Sequence, residues 1–370
     1  MARITFTGRP PIEPDEPSTL ANPAVAAALE CEQVTGTDSI TFSLDDGLHV
    51  APTPGPEGIS YTTGLIAIPG TDRLLATVDR SILVSNDRGC QWDLAEELLR
   101  GSPVYLMAGA AGDAFAWTRF GGELFRITAA GDVVALPSPS INIVGFGVDR
   151  RDDQRLRLAD WKGAIWTSTD GGGTWELTGT VPLFDTPTAP RSLYVAAFAP
   201  GNLDRVVVGA TMHGAFVSED GGRRWRRSTG ISPRRGPGAN AFQVVFSPVT
   251  DRVVWAMAID LRKAKVRDER HIYLSRDGGR SFARVLGEGS GAVITNGPLM
   301  AAHPTRPGVV YFEYGVRGYG TDLYRYDQST RRLVTRHLPF DGVSAVAFTA
   351  NQGIVMYLGL VSEDRSGPHR

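Results

Sequence analysis

Short apolar runs separated by polar turns recur along almost the whole chain. Typical examples are LIAIPGTDRLLATV at 65–78 and YVAAFAPGNLDRVVVGAT at 194–211, in which two β-rich stretches flank a turn. Runs of this length that are rich in Val, Ile, Leu and aromatic residues predict strands, and a continuous apolar run predicts a strand buried on both faces. The sequence therefore predicts an all-β protein built from hairpins.

One eight-residue pattern stands out from these runs. Ser-x-Asp-x-Gly-x-x-aromatic occurs four times, each time directly after an apolar run. The pattern residues are Ser85, Asp87, Gly89 and Trp92, then Ser168, Asp170, Gly172 and Trp175, then Ser218, Asp220, Gly222 and Trp225, and finally Ser275, Asp277, Gly279 and Phe282. Asp accepts hydrogen bonds from the amides of its own turn, and Gly supplies a positive φ. Each copy therefore predicts a β-hairpin turn with an aromatic ring packed beneath it.

The repeats divide the chain into similar four-strand units. Six complete units begin near Thr63, Pro103, Ile141, Ser192, Ala241 and Pro298. A seventh unit begins at Val343 but has only two strands. The segment 39–55 predicts the outer hairpin of a unit, without the two strands that would precede it. We expect 343–360 and 39–55 to form one mixed sheet, because their pairing removes exposed strand edges. The expected organisation is an extension or strap at 1–38, one domain at 39–362 and a polar tail at 363–370.

The four patterns resemble the Asp-box, or BNR, repeat of the β-propellers that include sialidase-like and sortilin-like proteins. The resemblance covers roughly residues 39–360 and implies a seven-bladed β-propeller closed by the mixed sheet. It also implies that the boxes are structural and lie on the face away from the ligand site. Proteins with this repeat are more often extracytoplasmic, which implies a secreted or periplasmic protein. The motif indicates an architecture and leaves the activity open.

Composition narrows the function mainly by exclusion. A net charge of −2 gives no field that would recruit nucleic acid or an anionic membrane. No stretch reaches the roughly 18 apolar residues of a membrane span, and the polar start of the chain has no signal-peptide pattern. Two cysteines without a nearby histidine do not make a zinc site. We expect a monomer with no metal and no cofactor.

The two cysteines, Cys31 and Cys90, leave two interpretations open. They are either isolated buried thiols or one disulfide that joins the N-terminal segment to the first unit. Cys90 lies in a predicted surface turn, an unusual place for a structural free thiol, and this favours the disulfide.

The loops opposite the boxes are the candidate ligand site, because in a propeller they converge on a central funnel. The predicted ligand-binding residues on these loops are Arg80, Arg119, Trp161, Lys162, His213, Arg317 and Tyr319. Arginines pair well with carboxylates, and Trp161 and Tyr319 offer flat apolar faces. These residues favour an anionic or carbohydrate ligand, or a protein partner, although they are equally compatible with ordinary solvated turns. The charged loop at 262–270 is either a mobile hairpin or an arm over the funnel.

Three functions follow from these residues. The first is a binding or interaction protein, because no recognisable catalytic set accompanies the scaffold. The second is a glycoside hydrolase or another enzyme acting on a carbohydrate or small polar substrate, with Asp79, Asp160 and Tyr319 as candidate catalytic residues. A sialidase is the least favoured enzyme, because the predicted funnel loops offer no glutamate partner for Tyr319. The third is an assembly factor, as some Asp-box propellers are.

Overall fold

The fold consists of β-strands throughout the part of the chain that the structure describes. A computed structural model describes residues 36–362 except 38, 54–58, 98–102, 184–190, 232–237, 262–269, 295–298, 317–318 and 350–353. Within these ranges the only helical element is a 3₁₀ turn at Glu288–Ser290. The prediction of an all-β protein is therefore confirmed. Residues 1–35 of the extension predicted at 1–38, the tail at 363–370 and most of the charged loop at 262–270 lie outside the described residues.

After a first short strand, β1 (Ile40–Ser43), the strands form antiparallel groups of four. The groups are β2 (Ser60–Ala67), β3 (Leu74–Val78), β4 (Ser81–Ser85) and β5 (Asp93–Glu97); β6 (Val104–Ala108), β7 (Ala114–Thr118), β8 (Leu124–Ile127) and β9 (Val133–Leu136); and β10 (Ile143–Asp149), β11 (Asp152–Asp160), β12 (Ala164–Ser168) and β13 (Glu176–Thr180). They continue with β14 (Leu193–Ala199), β15 (Asn202–Ala210), β16 (His213–Ser218) and β17 (Arg226–Arg227); β18 (Ala239–Phe246), β19 (Val254–Asp260), β20 (Arg270–Ser275) and β21 (Ala283–Gly287); and β22 (Met300–Ala302), β23 (Val309–Val316), β24 (Gly320–Asp327) and β25 (Arg332–Leu338).

The last two strands, β26 (Gly342–Thr349) and β27 (Val355–Ser362), pair with the first strand of the chain. β27 is antiparallel to β26 on one side and to β1 on the other, with Ile40 opposite Gly359 and Ser43 opposite Met356. The C-terminal strands thus obtain their third strand from the N-terminal segment. Strand β27 lies in the middle of this closing sheet, so its backbone is paired on both edges.

The first strands of successive groups contact one another in a closed cycle. β2 contacts β6, and the contacts continue through β10, β14, β18 and β22; β23 of the last group contacts β26, and β26 returns to β2. Gly145 on β10 allows one of these close approaches, because a Cβ at this position would lie 2.2 Å from the carbonyl oxygen of Ala196 on β14. We call these first strands the inner strands.

The core lies between neighbouring groups, where apolar faces of two sheets meet. One cluster joins Ile165 on β12 to Val208 on β15, and another joins Trp255 on β19 to Phe312 on β23. A buried hydrogen bond also joins two neighbouring groups. The guanidinium of Arg157 on β11 is almost completely buried and donates from Nη1 to the carbonyl of Gly221 in the next group, at 3.0 Å. Neighbouring sheets are therefore held together by packing, and at this interface by a hydrogen bond as well.

Candidate functional site

A cavity of about 770 Å³ lies inside the cycle of inner strands. Seven inner strands line its wall, with Thr63 on β2, Tyr105 on β6, Val144 on β10, Tyr194 on β14, Gln243 on β18, Met300 on β22 and Ser344 on β26. A cavity of this size is typical of sites that enclose a small ligand or a side chain. It is the candidate functional site of the protein.

The alternating strand directions give the molecule two different ends. The four turns with the Ser-x-Asp-x-Gly pattern connect third and fourth strands, and they share an end with the turns between first and second strands. We call this the box end. The turns between second and third strands and the starts of the inner strands lie at the other end, together with the cavity-lining residues Tyr61, Arg119 and Asp341. We call this the mouth end.

Arg119 is the one predicted ligand-binding residue that lines the cavity in the described part of the chain. It lies in the turn between β7 and β8, and its Nη2 donates to the carbonyl oxygen of Tyr194 on β14 at 3.0 Å. The backbone carbonyl of Arg119 also accepts from the amide of Ile143, at 3.2 Å. These bonds hold a guanidinium at the wall of the cavity, where it can contact an anionic or carbonyl group.

Asp79 and Asp160 do not line the cavity, and their carboxylates stabilise turns. Asp79 has a φ of 53° and accepts from the amide of Tyr61 at 2.8 Å. Asp160 accepts from the amides of Lys162 and Ala164, at 3.0 and 2.9 Å. Both are the local contacts by which Asp commonly stabilises a turn. The suggested pairing of Asp79 with Asp160 as catalytic carboxylates finds no support in this geometry.

The remaining predicted residues are also scattered over the mouth end. The Lys162 ammonium lies over the ring of its neighbour Trp161, 5.9 Å from the ring centroid, and Arg80 is exposed. His213 is completely buried at the start of β16, where its Nδ1 lies 2.6 Å from the carbonyl oxygen of Thr211. Tyr319 projects into solvent from the turn between β23 and β24. Arg317 lies outside the described residues, so the structure does not gather these side chains into one site.

Two acidic residues that the sequence did not single out do line the cavity. Glu313 lies on β23 and Asp341 directly precedes β26, and the two residues are 8% and 7% exposed. The glutamate that the predicted funnel loops did not offer lies instead on a strand. A lone acidic residue within the apolar run VVYFEYGV, at 309–316, was the signal that could have found it.

The Ser-x-Asp-x-Gly turns share one hydrogen-bond pattern. The Ser hydroxyl donates to the Asp carboxylate at 2.8–2.9 Å and accepts the Gly amide at 2.7–2.8 Å in all four turns. Hydrogen bonds from the backbone amide and hydroxyl of Thr174, together with one from Ser168, lower the pKa of Asp170 to about 2. The Asp carboxylates thus accept hydrogen bonds within their own turns, as expected of structural elements.

A fifth turn with the same hydrogen bonds follows β1. Ser43 donates to Asp45 at 3.0 Å and accepts the amide of Gly47 at 2.8 Å, and Asp45 accepts the amide of His49 at 2.8 Å. This turn does not match the full eight-residue pattern, because Val50 stands where the other copies have an aromatic residue. The N-terminal hairpin therefore carries the same turn chemistry as the complete groups.

The described ranges contain neither a group of metal ligands nor a membrane-spanning helix. There, no three residues of His, Cys, Asp or Glu are grouped to hold a metal ion. No helix in the same ranges has the length and apolar character needed to cross a membrane. Cys31 lies outside the described residues, so its pairing with Cys90 stays a prediction.

Comparison with solved structures identifies the class of fold. The chain is similar to the GH74 xyloglucanase from Xanthomonas campestris, with a TM-score of 0.55 and 15% identity over 83% of this chain, although it spans only 54% of that enzyme. It is also similar to YCF48 bound to D1 peptide (TM-score 0.54, 12% identity, 82% of this chain and 95% of that one). A streptogramin B lyase matches with a TM-score of 0.56 at 10% identity, over 86% and 98% of the two chains. These proteins are β-propellers, and they include enzymes as well as a peptide-bound protein, so they indicate the fold alone.

Sequence comparison identifies the family. No family model matches the chain. The Dispase autolysis-inducing protein of Streptomyces mobaraensis is 41% identical over 339 residues, which cover 90% of this chain and 89% of that protein. The chain belongs to the family of this Streptomyces protein.

Proposed function

We propose that this chain is a binding protein that induces the autolysis of a protease similar to dispase. The observation that carries the proposal is its membership, over nine-tenths of its length, in a family whose named member induces autolysis of dispase. The site residues support binding over catalysis, because the carboxylates of Asp79 and Asp160 are occupied by turn amides. A protein can promote self-digestion by binding preferentially to the open, cleavable form of its partner, since such binding raises the population of that form.

The mouth end is the surface that we assign to the protease. Five exposed apolar side chains lie there, in turns or at the starts of inner strands: Ile59, Tyr61, Phe120, Ile141 and Tyr319. The backbone amide of Gly121 donates to the carbonyl oxygen of Ile141 at 2.9 Å, so the Phe120 turn and Ile141 are neighbours. Exposed apolar and aromatic side chains near cations are typical of protein interfaces.

We also propose that the scaffold has seven blades of the Asp-box type. Six groups of four strands and the closing sheet of β26, β27 and β1 support the count of blades. The shared Ser, Asp and Gly hydrogen bonds in five turns, at the end away from the mouth, support the assignment of the boxes as structural elements. In this arrangement the box end stabilises the hairpins and leaves the mouth end free for a partner.

The first test is incubation of dispase with this protein. We expect dispase activity to fall with time and dispase fragments to accumulate, faster than in dispase alone. Catalytically inactivated dispase should stay intact in the presence of the protein, because the cleavage is autolysis. Fragmentation of the inactivated dispase would show instead that this chain is itself a protease, and an unchanged rate of dispase loss would refute the proposal.

A substitution at the mouth end should weaken this effect. Ile141 is 71% exposed, and Ile141→Glu places a charge that would have to be desolvated at the interface. We expect that about ten times more of the variant is needed to reach the same rate of dispase loss, because a desolvated interface charge costs more than about 1.4 kcal/mol of binding free energy. Val249→Glu is the matched control, because Val249 is 48% exposed in the turn between β18 and β19 at the box end. Equal effects of both substitutions would contradict the assignment of the surface.

We further propose an extracytoplasmic location, and with it a Cys31–Cys90 disulfide. Disulfides persist in oxidising compartments and are rare in the cytosol. We expect the purified, non-reduced, denatured protein to take up no thiol-reactive label, and to take up two labels after reduction. Because the sequence contains two cysteines, labelling of both without reductant would exclude the bridge.

A further inference from the structure

The acidic side of the cavity is formed by two chain segments that are packed against each other. A Cβ at position 315 would lie 2.4 Å from the backbone carbonyl oxygen of Asp341 and 2.7 Å from the hydroxyl oxygen of Thr321. Only glycine allows this approach without movement of the Asp341 backbone. Gly315 therefore holds the strand that carries Glu313 next to the segment that carries Asp341, and both acidic residues line the same cavity.

Glu313 is held in place by a buried partner. The hydroxyl of Thr321, which is completely buried on β24, donates to Glu313 Oε2 at 3.0 Å. Burial raises the pKa of Glu313, because the charged carboxylate is poorly solvated there. A positively charged group in the cavity would offset this cost, whereas an anion would increase it. A cation beside Glu313 would therefore stabilise the charged form of this carboxylate.

Aromatic side chains form another part of the wall. Tyr105 on β6 stacks on Trp117 on β7 with ring centroids 5.8 Å apart, and both line the cavity together with Tyr61 and Tyr194. Trp117 also stacks on Phe146, with ring centroids 5.3 Å apart, so its faces are largely covered. Faces of Tyr rings attract ammonium and guanidinium groups, and more strongly where water is excluded. They also accommodate the apolar stem of a Lys or Arg side chain.

The positive charge of Arg119 lies away from the acidic side. In the cycle of inner strands, Arg119 belongs to the β6 group and binds the carbonyl of Tyr194 on β14, whereas Glu313 belongs to the β22 group. A ligand with a cationic head near Glu313 can therefore place a carbonyl or carboxylate near Arg119. This arrangement differs from the anionic or carbohydrate site that the arginines of the sequence suggested.

We propose that the cavity binds a primary amine or guanidinium on an apolar stem, with the cationic head near Glu313 and Asp341 and the stem between the aromatic side chains. The shared chemistry is that of a Lys or Arg side chain on a bound polypeptide and of a free alkyl amine. The inference concerns the cavity alone and holds whether or not a protease is the partner.

The experiment is isothermal titration of the protein, without dispase, with short blocked peptides. The probes are acetyl-Ala-Lys-Ala-amide, its Arg counterpart and a norleucine counterpart that has the stem without the charge. We expect the Lys or Arg peptide to bind about tenfold more tightly than the norleucine peptide, as a hydrogen-bonded charge in a desolvated site requires. Titration with n-butylamine separates the two sources, because comparable affinity indicates a free amine and much weaker affinity indicates a polypeptide side chain.

Variants of the acidic side decide whether the binding occurs in the cavity. Glu313→Gln, or Asp341→Asn if the first variant does not fold, should weaken the Lys peptide about tenfold. Glu176→Gln is the matched control, because Glu176 is exposed on β13 and does not line the cavity. Equal affinity for the Lys and norleucine peptides, no binding of any probe, or unchanged binding by both acidic-side variants would overturn the inference. Any of these results would leave the dispase experiment unaffected, so the two proposals fail separately.

Discussion

Replacement of Tyr357 by alanine should lower the free energy of unfolding by about 3–5 kcal/mol, the usual range for removal of a large buried aromatic side chain. Tyr357 is 1% exposed in the middle of β27, and it packs with Phe42 from β1 and with Leu74 from β3. Its hydroxyl donates to the backbone carbonyl oxygen of Arg88 at 2.6 Å. One side chain thus joins the closing sheet to the N-terminal hairpin and to the first complete group.

Urea denaturation followed by tryptophan fluorescence measures this loss. Tyr357→Phe keeps the ring and should cost about 1–2 kcal/mol, because it leaves the Arg88 carbonyl without its buried donor. Tyr319→Ala is the matched control: it is the same substitution at an 81% exposed position in a turn, where the expected change is within about 0.5 kcal/mol. A Tyr357→Ala protein with the stability of the Tyr319→Ala protein would show that the closure of the ring does not depend on this contact.

Replacement of Asp46 by asparagine should lower the free energy of unfolding by about 2 kcal/mol at neutral pH, the scale of hydrogen bonds to charged groups. The Asp46 carboxylate, in the turn after β1, faces three side chains from the group of β22 to β25. Its Oδ1 lies 3.3 Å from His303 Nε2, its Oδ2 pairs with Arg306, and Arg325 Nε lies 3.4 Å away. His303 Nδ1 accepts the backbone amides of Thr305 and Arg306, whereas its Nε2 lies within hydrogen-bond distance of both Asp46 Oδ1 and the Arg306 guanidinium.

The same substitution should remove a pH-dependent part of the stability. Burial opposes the charge of Asp46, but the hydrogen bond to His303 and the charges of Arg306 and Arg325 prevail and hold its pKa well below the usual value. A depressed pKa in the folded state stabilises the protein above the unfolded-state pKa of about 3.9, and the stabilisation is lost as the pH falls below it. We therefore expect the stability difference between the native protein and Asp46→Asn to be constant above about pH 5 and to shrink towards pH 3.

Urea titrations at several pH values test this expectation. Asp93→Asn, at an exposed position of β5, removes the same charge from the same molecule and controls for net charge. An Asp46→Asn protein whose deficit stays constant down to pH 3 would mean that the carboxylate charge does not hold the N-terminal hairpin to its neighbour.

The turns were predictable because their chemistry is local. Within eight residues a Ser, an Asp and a Gly make every bond that defines the turn, so four copies could be identified without knowledge of the rest of the chain. Even the fifth copy, at Ser43, differs only in its missing aromatic.

The candidate site was less predictable, because the loops suggested cations such as Arg80 and Lys162, which do not line the cavity in the structure. Only Arg119 among the described candidates lines it.

By itself the sequence determined that the protein is all-β and built from repeated hairpins, since short apolar runs and turn residues act over a few positions. The tertiary structure alone decided which side chains share the cavity. Arg119 meets the carbonyl of Tyr194, and Glu313 lies beside the segment of Asp341, although these partners come from separate parts of the chain. Such pairs come together only when the inner strands form their cycle, and no local pattern records which strands become neighbours across it.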